Sequence, residues 1–434
     1  MVKLKVKKNV VFFSVDSRRQ DLYSVYGGFF HTPNLERMAK TGTVFNNMYS
    51  ASASTEMSLS SLINGTWCHN FYRFFYPEPA PPAHEFSETM FSDFRKIGRT
   101  NYILFNDYFL KVYADGIYHG PHAQRVRSNY SSVGESPGIT KSHIREAVKN
   151  IVDVARYASE PFCIFSHLAL GMTRGGRSIE EEDQALGYLL ESLDLSNTTV
   201  VFYSDHGFLK GEHANLFMHA FFLYEHILKV PCVISGDSPQ VVDAALSLTQ
   251  LRKLMNGESI EKMKFLYADT QYCGQPCRIT SIFDTDTRWK YVAHYNKATA
   301  VTGCQEELYD LNWDPGEHRN LLMDRSQHPI RADWNLQSFW QEWHPNTDGS
   351  LDDYDADEVA RTHKHLRTQI ASVWGDGLIK FFECHINKLN NSMHDQFYNL
   401  VQLLPQLEPH QQLARVSEVF TSLKTSDFRE NSNK

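Results

Sequence analysis

"TTVVFYSDHG", Thr198 to Gly207, is the stretch whose reading decides how this chain is built. Its β-branched and aromatic residues run on without polar alternation, as in a strand buried on both faces, and the run stops at an acid, a histidine and a glycine. A second run, "NVVFFSVDS" (9–17), ends the same way at Asp16. Strands buried on both faces belong to parallel sheets covered by helices, and such sheets collect ligands at the carboxyl ends of their strands. Asp16 and the pair Asp205–His206 stand at such ends.

Working outward, "YILF" (102–105), "PFCIFSHL" (161–168) and "VPCVISG" (230–236) read as further strands. "PNLERMAKTG" (33–42) puts Leu35 and Met38–Ala39 at helical spacing, with Gly42 suited to a C-cap. "IEEEDQALGYLLESLDL" (179–195) is an amphipathic helix just before the strand quoted first. The alternation predicts the α/β class: a mostly parallel central sheet flanked by helices over 1–264. From 265 to 330, "CRITSIFDTDTRWKYVAHY" and then "ELYDL" predict a smaller antiparallel subdomain. A helical C-terminal extension is expected over 331–434, including "DWNLQSFWQEW" (333–343) and most of 356–425.

The chain has 434 residues, 42 % hydrophobic and 22 % charged, with a net charge of −8. That is a globular composition with no basic field to attract nucleic acid. The basic opening is followed by an apolar run that Ser14 interrupts and Asp16 ends, short of the roughly 7–15 residues a secretory signal needs. No stretch approaches the ~20 apolar residues of a membrane helix. The 7 cysteines are scattered, and Cys273 with Cys277 lacks the second pair of a zinc ribbon. Free thiols in a reducing cytoplasm are therefore expected, and the sequons at Asn64, Asn129, Asn197 and Asn390 read as chance.

"SASTEMSLSSLING" (52–65) poses a choice. Thr55 before Glu56 is a plausible helix cap, and it is also a hydroxyl placed to attack. The two roles are compatible at a helix start.

Three ordered blocks resemble the sulfatase family of the alkaline-phosphatase-like superfamily. "VVFFSVDSRRQDLYSVYGGFFHTPNLERMAKTGTVFNNMYSASASTEMSLSSLING" is similar to its N-terminal half. "TVVFYSDHGFLKGEH" with "LYEHILKVPCVISG" is similar to its second hallmark, and "DTRWKYVAHY…ELYDLNWDPGEHRNLL" (286–322) to its C-terminal element. The resemblance implies an alkaline-phosphatase-like fold and a metal-dependent ester hydrolase. Its implied metal set is Asp16, Thr55, Asp205 and His206, with Thr55 as nucleophile. Carboxylates and a neutral imidazole suit one divalent ion, Mn²⁺ or Zn²⁺ before Ca²⁺. His213 in "KGEH" and His219 in "LFMHAFF" are candidate catalytic or anion-contacting histidines, each with a structural alternative. Arg73, Arg174, Arg177, Lys210 and Asn70 (with His69 beside it) are candidates to bind the substrate anion.

The departures from the family carry as much information. Sulfatases oxidise a Cys or Ser in C/S-x-P-x-R to formylglycine, whereas this chain has Thr55, Met57 and Leu59 at the three marked places. Threonine would give a ketone in place of the aldehyde. Ser17 stands where a second Asp is common, "YILFNDYFL" offers Asn106 and Asp107 in place of Lys-x-His, and "LGM" (170–172) replaces "DPH", leaving His167 alone. A threonine nucleophile is what phosphate-handling members of the superfamily use. The leading expectation is thus a phosphoester or phosphodiester hydrolase, or a phosphotransferase, acting on an anionic small-molecule, glycan or lipid head-group ester. The alternatives are a sulfatase working without formylglycine, and an inactive binding or assembly protein that oligomerises through its C-terminal helices.

Overall fold

Alternate residues of β1 (Asn9–Val15) enter two different cores. Val10 and Phe12 pack in one, and Val11, Phe13 and Val15 in the other. Every residue of the strand is buried, so the two-residue period of a strand builds a layer on each face. The computed structural model describes residues 1–68, 88–105, 124–127, 141–159, 161–168, 177–213, 219, 222–270, 279–294, 306–322, 355–385 and four positions further on, 399, 403, 406 and 407.

The central sheet has the order β10 (Gln240–Val242), β2 (Thr43–Phe45), β9 (Cys232–Ile234), β7 (Thr198–Ser204), β1, β6 (Phe162–Leu168), β4 (Thr100–Phe105), β5 (Gln124–Arg127). β1 is parallel to β6 and β7, and β4 to β5 and β6. Only β9 runs against its neighbours, β2 and β7. This is the mostly parallel α/β sheet that the sequence predicts. One core contains residues of α2 (Thr55–Asn64) and α3 (Met90–Lys96); the other contains α1 (Pro33–Ala39) and the helices Lys141–Tyr157 and Arg177–Ser192.

Two local expectations are corrected. "VPCVISG" is not one strand: β8 (Lys229–Val230) and β11 (Leu246–Ser247) pair with β3 (Met48–Tyr49) in a small sheet, whereas β9 joins the central one. Pro231 lies between them and, lacking an N–H, cannot continue a ladder. Gly42 is not the C-cap of α1, which is Lys40. A Cβ at Gly42 would stand 2.4 Å from the Ile234 carbonyl oxygen, so the glycine permits a close backbone approach.

The chain divides into two compact units. One comprises Met1–Thr66, Pro81–Phe208 and His226–Met263, and the other Trp67–Ala80, Leu209–Glu225 and Lys264–Lys434. In the second, β12 (Phe265–Thr270), β13 (Ile279–Asp284), β14 (Trp289–His294) and β15 (Glu306–Asp310) form an antiparallel sheet in sequence order. The helix Ala356–His385 packs on it through His363, whose Nε2 lies 3.0 Å from Glu306 Oε1. A buried ionic cluster sits in the same unit: Lys290 Nζ is 3.2 Å from Glu225 Oε1 and 2.7 Å from Glu317 Oε1. The expected helix over 333–343 and most of the chain beyond 385 lie outside the described residues. Among the described residues no helix is long and apolar enough to cross a membrane.

Candidate metal and nucleophile site

The carboxyl ends of β1, β6 and β7 lie side by side, because Val15 is in register with both Leu168 and Ser204. Asp16 and Asp205 each follow directly, and His167 is the penultimate residue of β6. Parallel register thus gathers residues that are 151 and 38 positions apart. One ligand atom from each of Asp16, His167 and Asp205 falls within 4.8 Å of the others. His206 stands beside the two carboxylates, its Nε2 at 3.4 Å from Asp205 Oδ2 and 3.8 Å from Asp16 Oδ1.

Thr55 reaches the cluster from α2. Its Oγ1 lies 3.2 Å from His206 Nε2. Ser54 holds the N-cap position, with extended backbone and no side-chain cap bond, so Thr55 is the first helical residue and not the cap. Ser58, three residues on and therefore on the same helix face, donates to the Asp205 carbonyl at 2.7 Å. That bond fixes the positive end of the helix dipole against the acidic cluster. Met57 and Leu59, at the places where the sulfatase motif has Pro and Arg, are 0 % and 1 % exposed. They are packing residues.

The turn after β1 is built for the same purpose. Ser17 adopts φ 56°, unusual for a residue with a Cβ. Its N–H donates to Asp205 Oδ1 at 3.2 Å and its hydroxyl to Asp16 Oδ1 at 2.9 Å. Arg18 then donates through its N–H to Ser204 Oγ at 2.9 Å and through Nε to the fully buried Glu182 at 2.7 Å. Tyr23 donates to the other oxygen of Glu182 at 3.2 Å. The next residue, Asp183, accepts from the backbone N–H groups of Asn34 and Leu35 in the first turn of α1 at 3.1 and 2.9 Å. Past β7, a Cβ on Gly207 would stand 2.2 Å from the His226 carbonyl oxygen, which is why glycine follows the histidine.

The electrostatics favour a cation. Burial pushes the Asp205 carboxyl up to about 6, and neighbouring Asp16 adds to the rise against the opposing pull of His167 and Thr55. Burial also depresses His206, keeping its imidazole neutral. Its Nδ1 lies 2.9 Å from the Gly207 carbonyl, to which it can only donate, so Nε2 carries the lone pair facing the carboxylates. Hard carboxylates with a neutral imidazole lone pair form a donor set that fits one divalent ion.

The sequence candidates are distributed as follows. Asp16, Thr55, Asp205 and His206 come together. His167, which sequence reasoning set aside, joins them; only the register of β6 against β1 could have revealed it. His213 belongs to the second unit, where it is buried and its ring stacks on Tyr224 at 3.9 Å. His219 is partly exposed and Lys210 exposed, both also in that unit. Arg177 opens the helix Arg177–Ser192. His69, Asn70, Arg73, Asn106, Asp107, 170–172, Arg174, Cys273 and Cys277 lie outside the described residues.

Comparison with known proteins bears on the fold. Residues 8–171 match the family model described as Sulfatase. No curated protein matches the chain. Among solved structures, the phosphonate monoester hydrolase of Agrobacterium radiobacter aligns at TM-score 0.60 and 14 % identity, over 86 % of this chain and 96 % of that one. A protein solved with its substrate, D-glucosamine-2-N,6-O-disulfate, aligns at TM-score 0.58 and 15 % identity, over 85 % and 98 %. Over residues 8–171 the chain thus matches the sulfatase family model, and its fold is the alkaline-phosphatase-like fold shared with a solved 2-O glycosaminoglycan sulfatase.

Proposed function

We propose that the chain is a metal-dependent hydrolase of phosphate or phosphonate esters, or a phosphotransferase, with Thr55 as nucleophile. The observation that carries the reading is the position of Thr55: first in α2, with Oγ1 3.2 Å from His206 Nε2 inside the acidic cluster. Asp16, Asp205 and His206 would hold the ion, with Thr55 completing the set. When bound, the divalent cation supplies charge that lowers the hydroxyl pKa and offsets the negative oxygens of the ester. Asp205 and His206 orient the Thr55 hydroxyl. Its oxygen forms a bond to phosphorus as the bond to the leaving oxygen breaks, and water or a second alcohol then takes the phosphoryl group from Thr55. On the sequence resemblance alone, His213 or His219 is proposed to supply the proton for the leaving oxygen, and Asn70, Arg73, Arg174, Arg177 and Lys210 to meet the ester's charge. Threonine favours phosphorus because it cannot become the aldehyde on which sulfate expulsion depends. The buried free thiols of Cys163 and Cys232 support the reading of a reducing compartment.

The likeness to a protein solved with a disulfated glucosamine favours a second reading, sulfate ester hydrolysis by the unmodified hydroxyl. One panel separates the two. Purified protein with Mn²⁺ is assayed on aryl phosphate, phosphodiester, phosphonate and sulfate. Phosphoester or phosphonate turnover that falls at least about 10³-fold in Thr55→Ala is expected. Turnover that survives the substitution rejects the nucleophile, and preference for sulfate selects the second reading.

A further inference from the structure

We propose that His167 is a further ligand of the metal site, held in ligating form by Ser14, and that the resulting two-imidazole donor set selects a transition ion over Ca²⁺. The inference rests on the reading of Asp16 and Asp205 as metal ligands and adds a residue that the family-like motifs do not contain. His167 is fully buried, and its Nε2 lies 3.8 Å from Asp205 Oδ2. With Asp16 and Asp205 it brackets a space whose donor atoms are all within 4.8 Å of one another. Two groups that each coordinate at about 2.0–2.2 Å stand at such separations when one ion lies between them. Asp205 Oδ2 is thereby flanked by two ring nitrogens, His206 Nε2 at 3.4 Å and His167 Nε2 at 3.8 Å.

The other ring nitrogen makes the case specific. Ser14 and His167 are register partners on adjacent parallel strands, and Ser14 Oγ lies 2.9 Å from His167 Nδ1. Ser14 Oγ can accept from Nδ1–H, and in that tautomer the Nε2 lone pair faces the carboxylates, the arrangement that the Gly207 carbonyl imposes on His206. Both imidazoles are therefore oriented by a fixed partner on the far side of the ring. Ser14 is the polar residue that interrupts the apolar run Val10–Val15 of β1, and this contact accounts for its place there. Two imidazoles with two carboxylates suit Zn²⁺ or Mn²⁺. Ca²⁺ takes 6–8 oxygens and gains little from ring nitrogen.

The test uses the full chain and the metal alone. In Cu²⁺-loaded wild-type protein, electron spin-echo modulation is expected to show two bound imidazoles, and one in His167→Gln. Calorimetric Mn²⁺ affinity is expected to fall roughly 10–100-fold in Ser14→Ala, the range seen when a ligand's hydrogen-bond partner is lost. It should fall at least as far in His167→Gln, with Ca²⁺ affinity changed less than Mn²⁺ affinity. The wild-type spectrum needs no variant to fold, and thermal unfolding in EDTA checks the two that are made. A single imidazole in the wild type, or Mn²⁺ affinity within about twofold of wild type in His167→Gln, overturns the proposal and leaves the site reading intact. Failure of wild type to bind Mn²⁺, or binding that survives Asp205→Asn, removes that reading and the proposal with it.

Discussion

Two buried clusters of charge sit in the two units of this protein, and they are completed differently. In the second unit, Glu225 and Glu317 share Lys290, an internal cation 0 % exposed. Burial pushes the Glu317 carboxyl up to about 8, and the Lys290 ammonium opposes that rise. In the first unit, Asp205 is equally buried, and its ion-pairing partners among the described residues are imidazoles, not lysines or arginines. Desolvation there leaves His206 neutral. One cluster carries its own counter-ion and is finished by folding. The other sets its carboxylates against imidazole nitrogens among the described residues. Buried carboxylates alone do not mark a functional site; how their charge is balanced does.

That contrast can be broken experimentally, starting where the effect is largest. Lys290→Met leaves the buried Glu317 and the partly buried Glu225 without a cation and is expected to cost about 3–5 kcal/mol of stability. Urea unfolding measures the loss, and calorimetry on the folded fraction should show Mn²⁺ affinity unchanged. A loss of Mn²⁺ binding at constant fold would make the two clusters one system.

Asp205 gives the opposite result. Its folded pKa of about 6 lies above the ordinary 3.8, so the metal-free folded chain holds a proton the unfolded chain releases. The stabilisation from that proton is complete below about pH 4 and lost as pH rises through about 6, a swing of about 3 kcal/mol at most. In EDTA, Asp205→Asn should therefore be the more stable protein above pH 6, by about 1–3 kcal/mol, and the less advantaged one below pH 4. It should no longer bind Mn²⁺. Thermal midpoints against pH, with and without Mn²⁺, test both parts. The smallest effect is expected from Ser17→Gly, which relieves the positive φ and should move metal-free stability by no more than about 1 kcal/mol. A larger loss would show that the Ser17 hydroxyl holds Asp16 more firmly than its 2.9 Å bond implies.

The sheet was legible because its central strands are buried on both faces, and long apolar runs at Asn9–Val15, Phe162–Leu168 and Thr198–Ser204 admit few other readings. That Asp16, Asp205 and His206 would lie together was legible for a related reason, since they are polar residues at the ends of those runs. His167 was not. It lies inside a buried strand, where one histidine looks like a satisfied core residue, and its meaning comes from a neighbour 153 positions away. The short strands Lys229–Val230, Gln240–Val242 and Leu246–Ser247 were also hidden, since two or three residues cannot display a period. The break at Pro231 was readable in principle, from the missing donor. The second buried cluster unites Glu225, Lys290 and Glu317 from distant segments, and no local pattern announces it.

Consecutive acids on the helix Arg177–Ser192 have a mechanical consequence. Glu182 grips Arg18, two residues beyond Asp16, while Asp183 grips the start of α1. Because successive residues on a helix point about 100° apart, one rotation of that helix would tug both attachments in different directions. The aspartate turn, the helix and α1 are geared together. Any breathing that admits substrate must carry the three as a block or leave them still and move something else.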